Sequence, residues 1–347
     1  MSEVSPGGPQ GAIKNGWSGL VNDYAIACKW ALDGKVLLVS DAAGSIYAFN
    51  GRSGAVLWRR EDNHSGNLLA MSVHPDGKSF ATAGQDGNVL LWNIQEGEVY
   101  ARIDLGERWI EHISWSSDGE WLAISCSRDI YVFDALGKEL WRTDSHPSTV
   151  SAIAWSSAGE LAAACYGTVL FYDVSARKLK QKLEWKGSLV SMVLSPDGDI
   201  VACGSQDNSV HFWRRSTAED SMMSGYSGKP SNLAFDRSGI LLATGGSKSV
   251  TVWSFADGGP EGTSPGFLEL HSEPISSLAF SPRGMRLASG ARDGSVVVWG
   301  VKKNGEWDAI GAVLMKGLIS AIAWRPDGRV LATATANGGI AAWGIGN

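Results

Sequence analysis

The chain has 347 residues, of which 44% are hydrophobic and 19% charged, and its formal net charge is −6. The apolar content suffices for a buried core, but the longest apolar runs are too polar for a membrane span, so a soluble protein without a membrane partner is expected. The acidic balance leaves no basic footprint, which disfavours nucleic acid as the main partner.

The N-terminal segment, residues 1–11 (MSEVSPGGPQG), is rich in Pro, Gly and Ser and carries no secretory signal pattern. It is predicted to be a short disordered leader, followed by a single domain over residues 12–347. The four cysteines, at positions 28, 126, 165 and 203, lack zinc or CxxC spacing. They are expected to be buried and free, which favours a reducing compartment and a cytoplasmic protein.

A turn glycine recurs eight times along the chain, with gaps of 43, 42, 40, 39, 41, 45 and 44 residues. A period of this length indicates a repeat architecture. The eight glycines are Gly34, Gly77, Gly119, Gly159, Gly198, Gly239, Gly284 and Gly328.

Each repeat contains short β-rich runs bounded by turn residues. In the seventh repeat these are residues 275–280 (ISSLAF), 285–289 (MRLAS) and 295–299 (SVVVW). A fourth, more polar run follows the third run in every repeat except the eighth. Such runs are typical of consecutive antiparallel strands, and four strands per unit is one propeller blade.

The eighth repeat stops soon after its third strand, whereas residues 14–20 form an extra run before the first repeat. Because an unpaired edge strand favours aggregation, we expect the N-terminal run to complete the last blade and close the ring. The sequence therefore predicts an all-β fold, an eight-bladed β-propeller of four-stranded antiparallel blades, with seven blades as the alternative.

The repeats resemble the WD-repeat β-propeller family along the whole chain. In that family a His, a Ser or Thr, an Asp and a Trp form a buried hydrogen-bonded set, and the resemblance places complete sets in the second and seventh repeats. No third strand ends in the Trp-Asp pair itself, since Trp92 precedes Asn93 and Trp299 precedes Gly300. The two sets are His64, Thr82, Asp86 and Trp92, and His271, Ser289, Asp293 and Trp299.

The combination of His271, Ser289 and Asp293 could suggest a hydrolase triad. A nucleophilic Ser needs an exposed, strained elbow, whereas this Ser lies within a strand and the same pattern recurs in the second repeat. We therefore interpret the sets as structural and predict no catalytic residue. The six histidines are dispersed, without HExxH or a close pair, so neither a metal site nor a cofactor is predicted.

The family geometry implies that the residue before each first strand, and the turn between the second and third strands, line one loop face around a central channel. Trp109 is the notable residue there, because Glu107, Arg108, Glu111 and His112 flank it. Exposed aromatic and arginine side chains are typical of binding hot spots. The predicted partner-binding residues are Tyr24, Asn67, Trp109, Glu111, His112, Arg128, Lys229 and Arg292.

Three functional hypotheses follow. The first is a non-catalytic scaffold that binds a protein or peptide partner on this loop face. The second is a metal-binding, small-molecule-binding or enzymatic site at the channel mouth, using Glu111, His112 and Arg128. The third is a subunit of a larger complex, recruited through the long connection at residues 255–267.

Overall fold

The computed structural model describes residues 8–302 and 305–346, and strands make up most of this range. Residues 1–7 of the predicted leader lie outside the described residues. Single 3₁₀ turns lie at Leu32–Gly34 and Ala256–Gly258. Within the described residues no helix has the length and apolar character that crossing a bilayer requires.

Through the third repeat the strands are β1 (Gln10–Gly11), β2 (Ile13–Leu20), β3 (Ala25–Ala31), β4 (Val36–Asp41), β5 (Ile46–Asn50), β6 (Val56–Arg60), β7 (Leu68–Val73), β8 (Ser79–Gly84), β9 (Asn88–Asn93), β10 (Glu98–Asp104), β11 (Ile110–Trp115), β12 (Leu122–Cys126), β13 (Asp129–Phe133) and β14 (Glu139–Arg142). The remaining strands are β15 (Ala152–Trp155), β16 (Leu161–Asp173), β17 (Lys178–Leu194), β18 (Ile200–Ser205), β19 (Val210–Arg214), β20 (Glu219–Met223), β21 (Asn232–Phe235), β22 (Leu241–Gly245), β23 (Ser249–Ser254), β24 (Gly266–Glu269), β25 (Ile275–Phe280), β26 (Arg286–Ala291), β27 (Ser295–Val301), β28 (Trp307–Leu314), β29 (Ile319–Trp324), β30 (Val330–Thr335) and β31 (Gly339–Ile345).

The strands form an all-β propeller fold of antiparallel sheets in which neighbours in sequence are neighbours in space. The eight glycines that mark the repeats all adopt positive φ, from 67° to 82°. This left-handed backbone favours glycine, which explains why the sequence repeats it at each turn. The predicted four-stranded antiparallel blade is confirmed.

The number of blades was predicted wrongly. Among the described residues the strands group into seven sheets rather than eight, five of them four-stranded. The fourth and fifth repeats share one six-stranded sheet, because β17 runs without a break through Lys178–Leu194. Its first part pairs with β16 and its last part, from Leu189 to Leu194, pairs with β18.

The N-terminal strand lies where the sequence predicts it. Strand β2 pairs with β31 as the outer strand of the last sheet, in the order β2-β31-β30-β29. Gln10 and Gly11, which belong to the predicted leader, instead form β1 and pair with Ala312 and Gly311 of β28. The segment from Gln10 to Ile13 therefore connects the sheets of the seventh and eighth repeats.

The chain forms two compact units. One comprises Met1–Asp41, Ile46–Leu57 and Tyr226–Asn347, and the other comprises Ala42–Ser45 and Trp58–Gly225. The second unit contains the second to fifth repeats. The expectation of one domain over residues 12–347 stays a prediction.

Each unit has its own apolar clusters between neighbouring sheets. The second strand of each repeat is buried on both faces and is rich in small residues, as in β18 (IVACGS) and β30 (VLATAT). Gly290 shows why, since an added Cβ there would lie 2.5 Å from Cγ2 of Ile319 on β29. Small side chains thus permit close sheet packing, whereas the fourth strands are more exposed, as in β10, where Ile103 is the one buried residue.

Candidate functional site

The polar set of the second repeat is a continuous hydrogen-bonded chain in the interior. The indole Nε1 of Trp92 donates to Oγ1 of Thr82 (2.9 Å), and that hydroxyl lies 2.9 Å from Nε2 of His64. Nδ1 of His64 lies 3.1 Å from a carboxylate oxygen of Asp86. His64 and Thr82 are buried, so these groups satisfy one another instead of facing a substrate.

The set of the seventh repeat is similar but contains an additional hydroxyl. Trp299 donates to Ser289 (2.8 Å), and Nε2 of His271 lies 2.6 Å from the same oxygen. Nδ1 of His271 contacts Oγ of Ser295 (2.5 Å), which in turn donates to Asp293. Burial lowers the pKa of His271 to about 4, so the ring is neutral near neutral pH.

Other repeats build the same chain with a different residue in place of the His. In the sixth repeat Trp253 donates to the hydroxyl of Tyr226 (2.8 Å), which takes the place of the His. In the eighth repeat Trp343 donates to Thr333 (3.0 Å), whose hydroxyl contacts the sulfur of Met315. These recurrent buried contacts support a structural role for the His-Ser-Asp sets.

The predicted loop-face residues of the first unit are exposed. Tyr24 exposes 38% of its surface, and its backbone N–H donates to the Asp23 carboxylate (2.7 Å). The side chains of Lys229 and Arg292 are exposed as well. The backbone N–H of Arg292 donates to the carbonyl of Pro274 (3.0 Å), which joins the connection before the first strand to the turn after the second strand.

The same backbone contact occurs in the second unit. There the N–H of Gln85 donates to the carbonyl of Asn67 (2.9 Å), and Gln206 donates to Ser188 (2.9 Å). The two sets of positions assigned to the loop face are therefore neighbours within these repeats. Asn67 is exposed, and its side chain takes part in no hydrogen bond among those of the described residues.

Arg108, beside Trp109, is used within the protein. Its guanidinium donates to the carboxylate of Asp129 (3.1 Å), the hydroxyl of Tyr131 (2.8 Å) and the carbonyl of Leu105. These contacts fix the connection that leads into β11. They also engage the positive charge next to Trp109, for which the sequence alone shows no partner. Arg108 is therefore unsuited to a partner contact.

Trp109 itself remains 58% exposed. Its neighbour Ile110 is buried and pairs with Cys126, the last residue of the adjoining strand β12. Arg128 follows Cys126 by two residues, in the turn after β12. Trp109, Glu111 and Arg128 therefore lie at the same end of one sheet, and all three are exposed. The structure thus brings together three of the predicted residues.

His112 differs from its neighbours because it is half-buried on β11. Burial lowers the pKa of His112, and the nearby carboxylate of Glu111 opposes that shift only in part. Among the described residues, no group of three or more His, Cys, Asp or Glu side chains is arranged to hold a metal ion.

Arg128 links the third and fourth repeats. Its Nε donates to the carbonyl of His146 (2.6 Å), and its own carbonyl accepts from both the backbone N–H (2.8 Å) and Nδ1 (2.9 Å) of His146. The N–H of Val150 donates to the carbonyl of Ser127 (2.8 Å) beside it. The turn that carries Arg128 is therefore held against the next connection.

A second exposed aromatic residue of this region lies outside the set predicted from sequence. Tyr166 lies in the hairpin of the fourth repeat, exposes 62% of its surface and donates its backbone N–H to Oγ of Ser148 (2.7 Å). Ser148 belongs to the connection that Arg128 and Ser127 hold. The sequence signal for this residue is the Tyr166-Gly167 pair in the turn between the second and third strands of the fourth repeat. We call Trp109, Glu111, Arg128 and Tyr166 the aromatic surface.

Two family models match parts of the chain. The model described as WD domain, G-beta repeat matches residues 104–134, 177–214 and 262–300. The model described as Anaphase-promoting complex subunit 4 WD40 domain matches residues 52–118. The matched segments contain four of the eight turn glycines, namely Gly77, Gly119, Gly198 and Gly284.

Curated relatives share low but extended similarity. The chain is 28% identical to Actin-interacting protein 1 of Caenorhabditis elegans over 294 residues, which is 82% of this chain and 47% of the relative. It is 27% identical to WD repeat-containing protein 1-B of Xenopus laevis, covering 80% of this chain and 46% of that protein. It is 24% identical to Telomerase protein component 1 of Rattus norvegicus, covering 9% of that protein. The chain thus spans about half, or less, of the length of these relatives.

Solved structures support the fold. The computationally designed Ika8 protein superposes with a TM-score of 0.79 over 97% of this chain and 100% of its own, at 20% sequence identity. A chain from the Mitotic Checkpoint Complex superposes with a TM-score of 0.66 over 81% of this chain and 87% of its own, at 22% identity.

Proposed function

Since this chain belongs to the WD-repeat β-propeller family, we propose that it is a non-catalytic scaffold that binds a protein or peptide partner through the aromatic surface. The single observation that carries this proposal is the 58% exposure of Trp109 beside an arginine whose contacts are all internal. A large aromatic side chain that exposes more than half of its surface to water can anchor a partner.

Two further features support the same surface. Tyr166 adds a second exposed aromatic residue on the connection that Arg128 holds. Backbone hydrogen bonds from His146 and Val150 fix the turn that carries Arg128, so a partner would meet a preorganised surface and lose little entropy on binding. Tyr24, Asn67, Lys229 and Arg292 remain candidate contacts, and His112 is the least accessible of the predicted set.

The names of the relatives guide the choice of a first partner. One relative is named for interaction with actin, and a structural neighbour comes from a multiprotein complex. We therefore propose that this chain also acts within an assembly, and purified actin filaments are the first partner to test.

We place the protein in the cytoplasm, because its four cysteines are buried and free. Recovery of a tagged protein outside the cytoplasm would argue against this location.

The experiment is quantitative affinity capture with the wild-type chain and the Trp109→Ala/Tyr166→Ala variant. We expect the affinity for at least one partner to fall by about thirtyfold or more with the variant, since truncating a hot spot costs roughly 2 kcal/mol or more of binding free energy. Tyr100→Ala is the matched control, because Tyr100 is a 45% exposed aromatic residue on β10, outside every candidate surface. Equal recovery of every partner with all three proteins would contradict the proposal.

A further inference from the structure

A groove of about 450 Å³ lies in the second unit, between the third and fourth repeats. No residue of the aromatic surface lines it, although Arg128 donates to the carbonyl of the lining residue His146. Strand β14 and the connection that follows it form one wall, and β16 and the start of β17 form the other. None of the residues that line it belongs to the set predicted from sequence. The groove is therefore a separate feature of the molecule.

The floor of the groove is aromatic and rigid. The ring of Trp141 packs edge-on against Tyr172, with 5.6 Å between ring centroids. The hydroxyl of Tyr172 bonds to Nε2 of His146 (3.0 Å), and both residues are buried. Because these rings are already fixed, an apolar side chain entering the groove would not have to order them.

The rim of the groove is cationic. Arg142, Arg177 and Lys178 are exposed and line it, against a single lining carboxylate at Asp144. Among the described residues none of the three cations forms an ion pair, whereas the neighbouring Lys180 is engaged by Glu160. In a chain with a formal net charge of −6, this local excess of positive charge selects for an acidic ligand.

The groove also borders a free strand edge. Strand β14 is the last strand of its sheet, in the order β11-β12-β13-β14, and no described strand pairs with its outer side. Such an edge presents backbone N–H and C=O groups to which an extended peptide can add as a further strand. Backbone pairing favours a peptide over nucleic acid as the ligand of these cations.

We propose that this groove binds an extended acidic peptide that carries a bulky apolar residue. The peptide backbone pairs with β14, its carboxylates face Arg142 and Lys178, and its apolar side chain packs on Trp141. This proposal does not depend on the aromatic surface, and the two sites can therefore fail or succeed separately.

The test is selection of a random peptide display library on the full chain. We expect enrichment of peptides that combine Asp or Glu with Leu or Phe. Affinity for a synthetic copy of the best peptide should fall about tenfold with Arg142→Ala/Lys178→Ala, because both charged contacts are lost. Lys138→Ala is the matched control, since this exposed lysine lies in the β13–β14 turn outside the groove. Trp109→Ala should also leave the affinity unchanged.

A second readout locates the peptide on the protein. Backbone amides of Glu139–Arg142 should exchange with solvent more slowly when the peptide is bound. The proposal is overturned by enrichment of neutral or basic peptides, by no enrichment, by equal affinity of the double variant, or by unchanged exchange in β14. Displacement of the peptide by a single-stranded oligonucleotide with higher affinity would instead identify the groove as a nucleic-acid site.

Discussion

The imidazole of His271 accepts a hydrogen bond at Nε2 from Ser289 and donates at Nδ1 to Ser295. A ring with one donor and one acceptor nitrogen is neutral, and its position between two hydroxyls fixes that tautomer. His64 is placed in the same way between Thr82 and Asp86, and burial lowers its pKa as well. Protonation of either ring would add a proton where an acceptor is required.

We therefore expect the free energy of unfolding to fall as the pH drops from about 6.5 towards 4. The folded pKa of His271 is about 4, below its value in the unfolded chain, so the unfolded state takes up the proton first. Each such histidine removes up to about 1.4 kcal/mol of stability per pH unit in this window. Urea denaturation at several pH values measures this change in the free energy of unfolding.

Asp293 extends this loss to lower pH. Burial raises the pKa of this carboxyl, but hydrogen bonds from Ser295 and Ser272 outweigh burial and hold it at about 2. The contribution of Asp293 to the free energy of unfolding is present above its unfolded pKa and is lost as the pH falls through 2.

The His271→Gln variant is the control for the histidine prediction. It should be less stable at neutral pH and lose less stability between pH 6.5 and 4. The same pH dependence in both proteins would refute the assignment.

Connections between strands of different repeats are made by a small number of side chains. The indole of Trp155 donates to the carbonyl of Ser114 (2.9 Å), one repeat earlier, and Trp324 does the same to Ala279 (2.9 Å). In the second unit Glu160 contacts both Lys180 and Arg215, and is 7% exposed. Such contacts stabilise the packing of neighbouring sheets without being visible in the repeat pattern.

We expect Glu160→Gln to lower the free energy of unfolding by about 1–3 kcal/mol, because Arg215 would keep its buried charge without its partner carboxylate. The contacts with Lys180 and Arg215 hold the pKa of Glu160 below its usual range despite the opposing effect of burial. Denaturant unfolding measures the change. Glu184→Gln, which removes the exposed pair with Lys182, should cost less than about 0.5 kcal/mol. Equal costs would contradict a specific role for Glu160.

At the scale of the whole chain, the repeat period predicted the antiparallel four-stranded units and the position of β2, because turn glycines and apolar strands are local signals. The separation into eight blades failed at Trp185, Lys186 and Gly187, where no Pro or turn motif interrupts β17. The structure brings the predicted residues Trp109, Glu111 and Arg128 to one end of a sheet, and their role in partner binding stays a prediction. The bonds of Arg108 to Asp129 and Tyr131 could not be predicted, because they depend on tertiary structure. Tyr166 was missed for the same reason, since exposure cannot be read from a turn.

The N-terminal strand is expected to contribute strongly to stability. Ile13 on β2 is 1% exposed and packs in the cluster between the last two sheets. Ile13→Ala should therefore cost about 2–4 kcal/mol in thermal or denaturant unfolding. Leu20→Ala on the same strand is the control, because Leu20 is 74% exposed and should change stability by less than about 0.5 kcal/mol. If both variants unfold like the wild type, β2 does not secure this sheet.

The pairing of β2 with β31 also bears on how the protein is made. Leu20 lies opposite Gly339, so β2 leaves the ribosome long before the strand it must join. Sheets built from strands close in sequence can form as they emerge, whereas this one must wait for β31. Until then Ile13, which is buried in the folded protein, stays exposed. A chaperone that covers β2 during translation would prevent its premature pairing with other free strand edges.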